Sequence, residues 1–208
     1  MAEDSRAIVT KVDEAIAVIR FNKPRERNPL SRQILLDLKI TLSEITVRND
    51  VGAIIFTGTN DVFASGANIR ELAQLEPTSA LEFSRLGRHL FQAIADARQL
   101  TIASINGYCM GGALDLALAC DIRVASTNAV LAHPGVRLGI ITGWGGTQRL
   151  PRLIQKKSAL ELLLTGRRIL AEEALNLGLV TAVSEQSLET SRLMARSATL
   201  NLQSSMRR

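Results

Sequence analysis

Two glycine-rich turns are the segments of this sequence whose residue types could do chemistry. The first covers residues 63–69 (FASGANI) and the second covers residues 106–113 (NGYCMGGA). Each follows an apolar run typical of a buried strand and precedes a predicted helix. The first N–H groups of a helix have no partner within it and lie at the positive end of its dipole, and small side chains let a ligand approach them. Two such turns could together hold an oxyanion, or their glycines could only allow a strand and a helix to pack closely.

Asp115 is the carboxylate best placed to act beside the second turn. It lies in the apolar stretch ALDLALAC, which predicts a helix. An acid among so many apolar residues needs a partner or a shifted pKa, so we favour a catalytic role over a hydrogen bond to nearby backbone. His133 could serve as a base or could simply end a strand. Cys109 has no His–carboxylate relay in sequence, which favours a small buried side chain, and Trp144 is expected in the core or in a pocket wall.

Several other kinds of site are excluded by the motifs. Neither turn matches the phosphate loop G-x-x-x-x-G-K-[ST] or the dinucleotide fingerprint G-x-G-x-x-G, and the sequence contains no G-x-S-x-G. The two cysteines do not form a C-x-x-C pair, and two histidines are too few for most zinc sites. We therefore predict no metal site.

The composition indicates a globular protein that suits an anionic ligand. Hydrophobic residues make up 46% of the 208 residues, and the formal net charge is +5. No basic run carries the interleaved aromatic residues of a base-stacking surface, so no nucleic-acid partner is expected. The sequence has no run of 18 apolar residues, and its start, MAEDSRAIV, lacks the apolar region of a secretory signal. We expect no membrane association and a reducing, cytoplasmic location.

Strands, glycine-rich turns and helices alternate along the chain. The pattern predicts a β-hairpin over residues 7–21 and a helix over 31–47 whose buried face contains Ile34, Leu35, Leu38, Leu42 and Ile45. A helix is expected to begin near Ser79, with Ser79 and Glu82 as a capping box. Ser158 and Glu161 are expected to form a second capping box. Further elements are strands at 51–57, 101–106, 122–126, 129–133 and 179–183, a loop and short helix at 58–69, and helices at 113–120, across 146–164, at 171–177 and at 187–201. Such alternation favours a layered α/β fold.

Five segments resemble those of the enoyl-CoA hydratase/isomerase (crotonase-like) family. FASGANI and NGYCMGGALDLALACDIRVAS resemble its two oxyanion segments, and HPGVRLGIITGWGGTQRLPRLI and LLLTGRRILAEEALNLGLV resemble the segments that follow in the same order. NKPRERNPLS resembles the early loop that contacts CoA. The resemblance extends from residue 8 to about 185. It implies an α/β fold built as a right-handed spiral of ββα units, and an enzyme that acts on acyl-CoA thioesters.

The resemblance also implies a role for particular residues. The N–H groups of Ala67 and Gly112 would hold the thioester oxygen, and Asp115 would be the catalytic carboxylate. The residues expected to contact the acyl-CoA are Arg25 and Arg27 at the phosphates; Ala64, Asn68 and Ile69 around the adenine and pantetheine; Gly66 and Gly111 in the turns; and Tyr108, Met110, Pro134, Gly135 and Leu138 around the acyl chain. Most relatives carry Asp where this chain has Asn68. CoA is part of the substrate, and no separate cofactor is expected.

The acid/base residues depart from the pattern of a hydratase. The family typically uses two glutamates for hydration, and the matching positions here are Asp115 and Gly135. Asp115 retracts the carboxylate by about 1.5 Å, and Gly135 removes a partner whose contribution is roughly 10²–10⁴ in rate. A hydratase-like enzyme of fatty-acid or branched-chain acyl-CoA metabolism is expected. The alternatives are an isomerase or decarboxylase that uses Asp115 alone, and a non-catalytic CoA-binding protein.

The last part of the chain does not resemble the family. We expect one domain over residues 1–208, with a core over 8–185 and a short divergent helical tail over 186–208. Relatives usually continue through a further helical region that closes the acyl pocket and builds trimer contacts, so we expect this region to be truncated here. A homotrimer or hexamer is expected if that deficit is tolerated.

Overall fold

The computed structural model describes residues 6–205, and the side chains of residues 6–200. The predictions for residues 1–5, and for the tail beyond residue 205, lie outside this part of the chain. The strands are β1 (Ile8–Asp13), β2 (Ile16–Phe21), β3 (Pro29–Leu30), β4 (Ala53–Thr57), β5 (Val62–Ala64), β6 (Gly66–Ala67), β7 (Leu100–Ile105), β8 (Tyr108–Met110), β9 (Ile122–Ala125), β10 (Val130–Ala132), β11 (Ile169–Leu170) and β12 (Ala182–Val183).

The helices lie between these strands and after the last of them. They are α1 (Arg32–Thr46), α2 (Ile69–Leu72), α3 (Pro77–Ala95), α4 (Gly112–Ala119), α5 (Gly146–Leu153), α6 (Lys156–Thr165), α7 (Ala171–Asn176) and α8 (Ser187–Ser205). Two 3-10 helices cover Pro24–Glu26 and Pro134–Leu138. Within the described residues no helix is long and apolar enough to cross a membrane.

Three sheets share these strands. The six-stranded sheet has the order β1-β2-β4-β7-β9-β12, in which β1 and β2 are antiparallel and every later pair is parallel. A four-stranded sheet has the order β11-β10-β8-β5, and β3 pairs with β6. The chain therefore leaves each central strand of the large sheet for a strand of the smaller one.

This movement repeats three times and confirms the expected spiral of ββα units. β4, β7 and β9 are neighbours in the large sheet, and β5, β8 and β10, which follow them in the chain, are neighbours in the small one. Helical segments follow each pair before the chain returns to the large sheet. In each unit a turn thus leads from the short strands to a helical segment.

The core lies mainly on one face of the large sheet. The predicted apolar face of α1 is buried there, and Ser31 begins the helix by accepting a hydrogen bond from the N–H of Ile34. The other face of the sheet forms a smaller apolar cluster that includes Ile55, Ile102 and Ala195 of α8. The predicted helix of the tail is therefore confirmed, and it covers a sheet face that would otherwise be exposed.

Some local expectations were wrong. Helix α3 begins earlier than predicted, and the Ser79 hydroxyl accepts from the N–H of Glu76 instead of pairing with Glu82. Helix α6 begins at Lys156 after Gln155, so Ser158 lies inside it and does not cap it. The turns expected at residues 58–69 and 107–112 also contain the short strands β5, β6 and β8. In short segments, pairing with a neighbouring strand overrides the local preference for a turn.

Candidate active site

The first glycine-rich turn ends the pair of strands β5 and β6. Gly66 has a φ of +87°, in the left-handed region that favours glycine. Ala67 follows in β6 and pairs with Leu30 of β3. The Asn68 side chain then accepts a hydrogen bond of 3.0 Å from the N–H of Arg70 and begins α2. This segment therefore has a fixed backbone up to the start of a helix.

The second turn joins β8 to α4. Gly111 has a φ of +55°, and its N–H donates to the carbonyl of Ala132 at 2.8 Å. Helix α4 begins at Gly112, whose N–H is therefore at the first helical position, where no intrahelical acceptor exists. The turn is therefore held by the neighbouring strand β10.

The two turns are in contact. A Cβ added to Gly66 would lie 2.5 Å from the carbonyl oxygen of Met110 and 2.9 Å from the nitrogen of Gly112. Only a residue without a side chain permits this approach. Ala67 and Gly112 line the same cavity, which has a volume of about 300 Å³. The two turns therefore meet beside one cavity, and the convergence of their N–H groups on one oxygen remains a prediction.

Asp115 lies in the first turn of α4 and lines this cavity although it is almost fully buried. The Thr142 hydroxyl donates a hydrogen bond to its Oδ2. Among the described residues its Oδ1 has no hydrogen-bond partner. Burial raises the pKa of Asp115 to about 7, against the opposing effects of the Thr142 hydroxyl, the Trp144 N–H and the charge of Arg149. Both protonation states are therefore populated at neutral pH.

His133 is the second titratable side chain in the cavity wall. Its Nε2 lies 3.5 Å from Oδ1 of Asp115, and within the described part of the chain neither ring nitrogen makes a hydrogen bond. Burial lowers the pKa of His133 to about 4. The imidazole is therefore neutral near pH 7, and the two side chains do not form a salt bridge there.

The loop before α5 surrounds the carboxylate of Asp115. Gly146 passes so close that an added Cβ would overlap Oδ1 of Asp115 and lie 3.0 Å from Cε1 of His133. Arg149 fastens this loop to α3, since its guanidinium donates to the carbonyl of Trp144 and to the side chain of Gln92. The sequence did not single out Thr142, Gly146 or Arg149, because their proximity to Asp115 depends on the folding of the loop.

Trp144 packs behind the second turn, as expected of a core or pocket-wall residue. Its ring makes edge contacts with Phe83 and Phe91 at centroid distances of 5.3 and 5.5 Å. A Cβ on Gly112 would overlap the ring. The indole therefore supports the backbone of Gly112 and lines the cavity at the same time.

The remaining wall of the cavity is largely apolar. Of the predicted contact residues, it includes Ala67, Ile69, Gly111, Gly112, Pro134, Gly135 and Leu138. Residues that the sequence did not indicate are Leu72, Leu75, Phe83, Ile140, Ile141 and Leu163. They come from helices and loops whose apolar residues look no different in sequence from ordinary core residues. Such a wall suits a hydrocarbon chain.

The other predicted contact residues lie outside the cavity wall. Ala64 is fully buried in β5, and the Asn68 side chain is engaged at the start of α2. Gly66 and Met110 contribute to the contact between the turns. Arg25 and Arg27 are exposed on the 3-10 helix and its end, and Tyr108 is partly exposed on β8. Their contacts with CoA remain predictions.

No group of three or more potential metal ligands occurs among residues 6–200 whose side chains the structure describes. Cys109 and Cys120 are both buried and unpaired as thiols, and burial raises their pKa values, the latter to about 12. A thiol in this state is a poor nucleophile, because the thiolate is the reactive form. Asp115 and His133 are therefore the groups of this cavity that could move protons.

Comparison with known proteins identifies the family of this chain. The model of the enoyl-CoA hydratase/isomerase family matches residues 11–206. A crotonyl-CoA hydratase of Syntrophomonas wolfei is 39% identical over 177 residues, which cover 85% of this chain and 68% of that protein. An enoyl-CoA hydratase/isomerase of Bacillus subtilis, itself named only provisionally, is 41% identical over 178 residues and 68% of its length.

Solved structures give the same result. DspI of Pseudomonas aeruginosa superposes with a TM-score of 0.90 at 33% identity and covers 96% of this chain and 82% of its own. An enoyl-CoA hydratase of Bacillus anthracis superposes with a TM-score of 0.89 at 35% identity, over 92% of this chain and 76% of its own. The fold is the crotonase-like fold. The chain belongs to the enoyl-CoA hydratase/isomerase family.

Proposed function

We propose that this protein binds an acyl-CoA thioester in the cavity and exchanges a proton at the carbon next to the thioester carbonyl. The observation that carries the proposal is the contact between the two glycine-rich turns, where a Cβ on Gly66 would lie 2.9 Å from the nitrogen of Gly112. The N–H groups of Ala67 and Gly112 are proposed to donate to the carbonyl oxygen. Such donors stabilise the negative charge that forms on this oxygen when the proton leaves.

Asp115 is proposed to take and return the proton. It lines the same cavity wall as the two turns, and its raised pKa of about 7 suits a group that must work in both directions near neutral pH. When its carboxylate removes a proton from C2, the C–H electron pair forms the enolate and the charge moves to the carbonyl oxygen. Return of the proton restores the thioester.

Two reactions share this step. In hydration, a water adds to C3 of a 2-enoyl thioester and the proton enters at C2. In isomerisation, the carboxylate removes a proton from C2 of a 3-enoyl thioester, and the same proton returns at C4 as the double bond moves to C2–C3. The names of the hydratase relatives favour hydration, whereas Gly135, which carries no acid, favours isomerisation.

The arginines of the early loop are proposed to bind the CoA moiety. Arg25 and Arg27 are exposed, and guanidinium groups match the geometry of phosphate oxygens. The net charge of +5 supports binding of an anion of this kind. Replacement of both by glutamine should raise the Kd for butyryl-CoA and leave that for a butyryl thioester without the nucleotide unchanged.

The experiment that tests the proposal measures exchange of the C2 protons of butyryl-CoA in D2O by mass spectrometry. The wild type should introduce deuterium at C2, and Asp115→Asn should slow this by about 100-fold or more, in the range of a positioned acid or base. Asp61→Asn is the matched control, since Asp61 is exposed and lies outside the cavity wall. Exchange that is undetectable in the wild type, or equal in Asp115→Asn, would contradict the proposal.

A further inference from the structure

The side chains of Asp115 and His133 leave three buried polar atoms without hydrogen bonds to described residues. These are Oδ1 of Asp115 and both ring nitrogens of His133. Leaving such atoms unpaired costs free energy, so each requires an explanation. Both side chains are more than nine-tenths buried and line the cavity in which the acyl chain is proposed to bind. The unpaired atoms therefore point to a small polar ligand.

The cavity reaches both groups, since Asp115 and His133 both lie in its wall. Gly146 of the loop before α5 packs against both side chains, since any side chain there would overlap Oδ1 of Asp115 and approach His133. Oδ2 of Asp115 is occupied by the Thr142 hydroxyl, which directs the free oxygen toward the imidazole. A water molecule is stable in a protein cavity when it finds two or more polar partners, and these two side chains supply them.

We propose that His133 and Asp115 together bind a water molecule and that His133 is the base that activates it, which makes this site a hydratase. This inference rests on the proposed function and adds a catalytic residue to it. His133 lies two positions before Gly135, so the chain that lacks an acid at residue 135 has a base close by. The arrangement replaces a second carboxylate by an imidazole.

The proposed reaction balances without any other reactant. A ring nitrogen of His133 takes a proton from water as the oxygen bonds to C3, and the π electrons of the C2=C3 bond move so that the carbonyl oxygen becomes the enolate oxygen. The carboxylic acid of Asp115 then donates its proton to C2 and the thioester carbonyl re-forms. The imidazolium returns its proton across the 3.5 Å contact to Oδ1 of Asp115. The net change is the addition of one water.

The test compares two activities of one set of variants. Hydration of crotonyl-CoA, followed by loss of its enoyl absorbance, requires His133, whereas exchange of the C2 protons of butyryl-CoA requires only Asp115 and the two amides. His133→Gln should lower the hydration rate by about 100-fold or more and lower exchange far less, so that the ratio of hydration to exchange falls. His89→Gln is the matched control, because His89 is exposed on α3 and lies outside the cavity wall.

Chemical rescue separates a catalytic role from a structural one. Free imidazole added to His133→Ala should restore part of the hydration rate and thereby raise the ratio of hydration to exchange. The inference is overturned if the wild type exchanges C2 protons but does not hydrate crotonyl-CoA, or if His133→Gln hydrates at the wild-type rate. Absence of exchange in the wild type would instead overturn the proposed function together with this inference.

The pH dependence of the wild type is a second measurement that needs no variant. Four side chains face Asp115: His133, Thr142 of the loop before α5, Arg149 of α5 and Cys109 of β8. Hydration uses the protonated acid, so its rate should fall as the pH rises through about 7, whereas exchange uses the carboxylate and should rise over the same range. Parallel rise of both activities would contradict the role of Asp115 as the acid in hydration.

Discussion

Oδ1 of Asp115 lies 3.5 Å from Nε2 of His133, and both side chains are almost fully buried. Burial has opposite effects on their pKa values, because it disfavours the charged form of each: it raises that of the acid and lowers that of the base. The site therefore holds a neutral base beside an acid that is about half protonated at neutral pH. A general acid and a general base are available together without a second carboxylate.

The same two shifts predict how stability depends on pH. The native pKa of Asp115 is above that of an unfolded aspartate. The contribution of Asp115 to the free energy of unfolding is therefore lost as the pH rises from about 4 to 7. The native pKa of His133 is below that of an unfolded histidine. The contribution of His133 to the free energy of unfolding therefore grows as the pH rises from about 4 to 6.5. In the wild type the two effects oppose each other over most of this range.

Single substitutions should separate them. Relative to the wild type, the free energy of unfolding of Asp115→Asn should increase with pH between 4 and 7, by up to about 1.4 kcal/mol per pH unit. That of His133→Gln should decrease with pH between 4 and 6.5. Urea unfolding at several pH values measures both. Identical pH slopes for the wild type and the two variants would show that neither group has a shifted pKa.

Gly66→Ala should disrupt the contact between the two turns. The new methyl group would lie 2.5 Å from the carbonyl oxygen of Met110, in a backbone conformation that side chains disfavour. Gly178→Ala is the matched control, because Gly178 has a similar φ of +74° and nothing within 4 Å of an added Cβ. We expect Gly178→Ala to cost about 1 kcal/mol of stability and keep full exchange activity, and Gly66→Ala to lose most of that activity. Equal activities would indicate that the turns need not touch.

Arg149→Met should raise the pKa of Asp115 further. The charge of Arg149 lowers that pKa, and its guanidinium also holds the carbonyl of Trp144. The midpoint of the pH profile for C2 exchange should therefore move upward, and exchange at pH 7 should become slower. Arg152→Met, on the exposed side of the same helix, provides the comparison. An unchanged midpoint would mean that Arg149 has only a structural role.

Trp144 should report binding of the acyl chain. It is the only tryptophan, and its ring lines the cavity beside Gly112. Addition of butyryl-CoA should change its fluorescence with a saturable dependence on concentration, while CoA without an acyl group should change it less, since only the acyl chain enters the cavity. Equal signals from the two ligands would place the acyl chain elsewhere.

The sequence predicted the parts of this site that depend on local pattern or on resemblance to known segments. The burial of Asp115 in α4 and the two glycine-rich turns followed from apolar runs and from the family segments. The buried face of α1 followed from helical periodicity. Each of these features is determined within one short segment of the chain, where residues that are close in sequence are also close in space.

The environment of Asp115 could not be predicted in this way. Thr142, Gly146 and Arg149 are 27 or more positions away from Asp115 in the chain, and they reach it only because the loop before α5 folds over α4. His133 was a weaker candidate than Asp115, since nothing in the sequence placed its ring against the carboxylate. The capping boxes at Ser79 and Ser158 failed because each helix begins earlier than expected: α3 begins at Pro77, after a capping box between Glu76 and Ser79, and α6 begins at Lys156.

The proposed function depends above all on the N–H groups of Ala67 and Gly112, which are proposed to hold one thioester carbonyl. A crystal structure of the protein with bound acetoacetyl-CoA measures this directly. We expect a carbonyl oxygen at about 3 Å from both nitrogens, with C2 of the ligand facing the carboxylate of Asp115. A thioester oxygen that contacts neither amide, or an acyl chain bound outside the cavity, would contradict it.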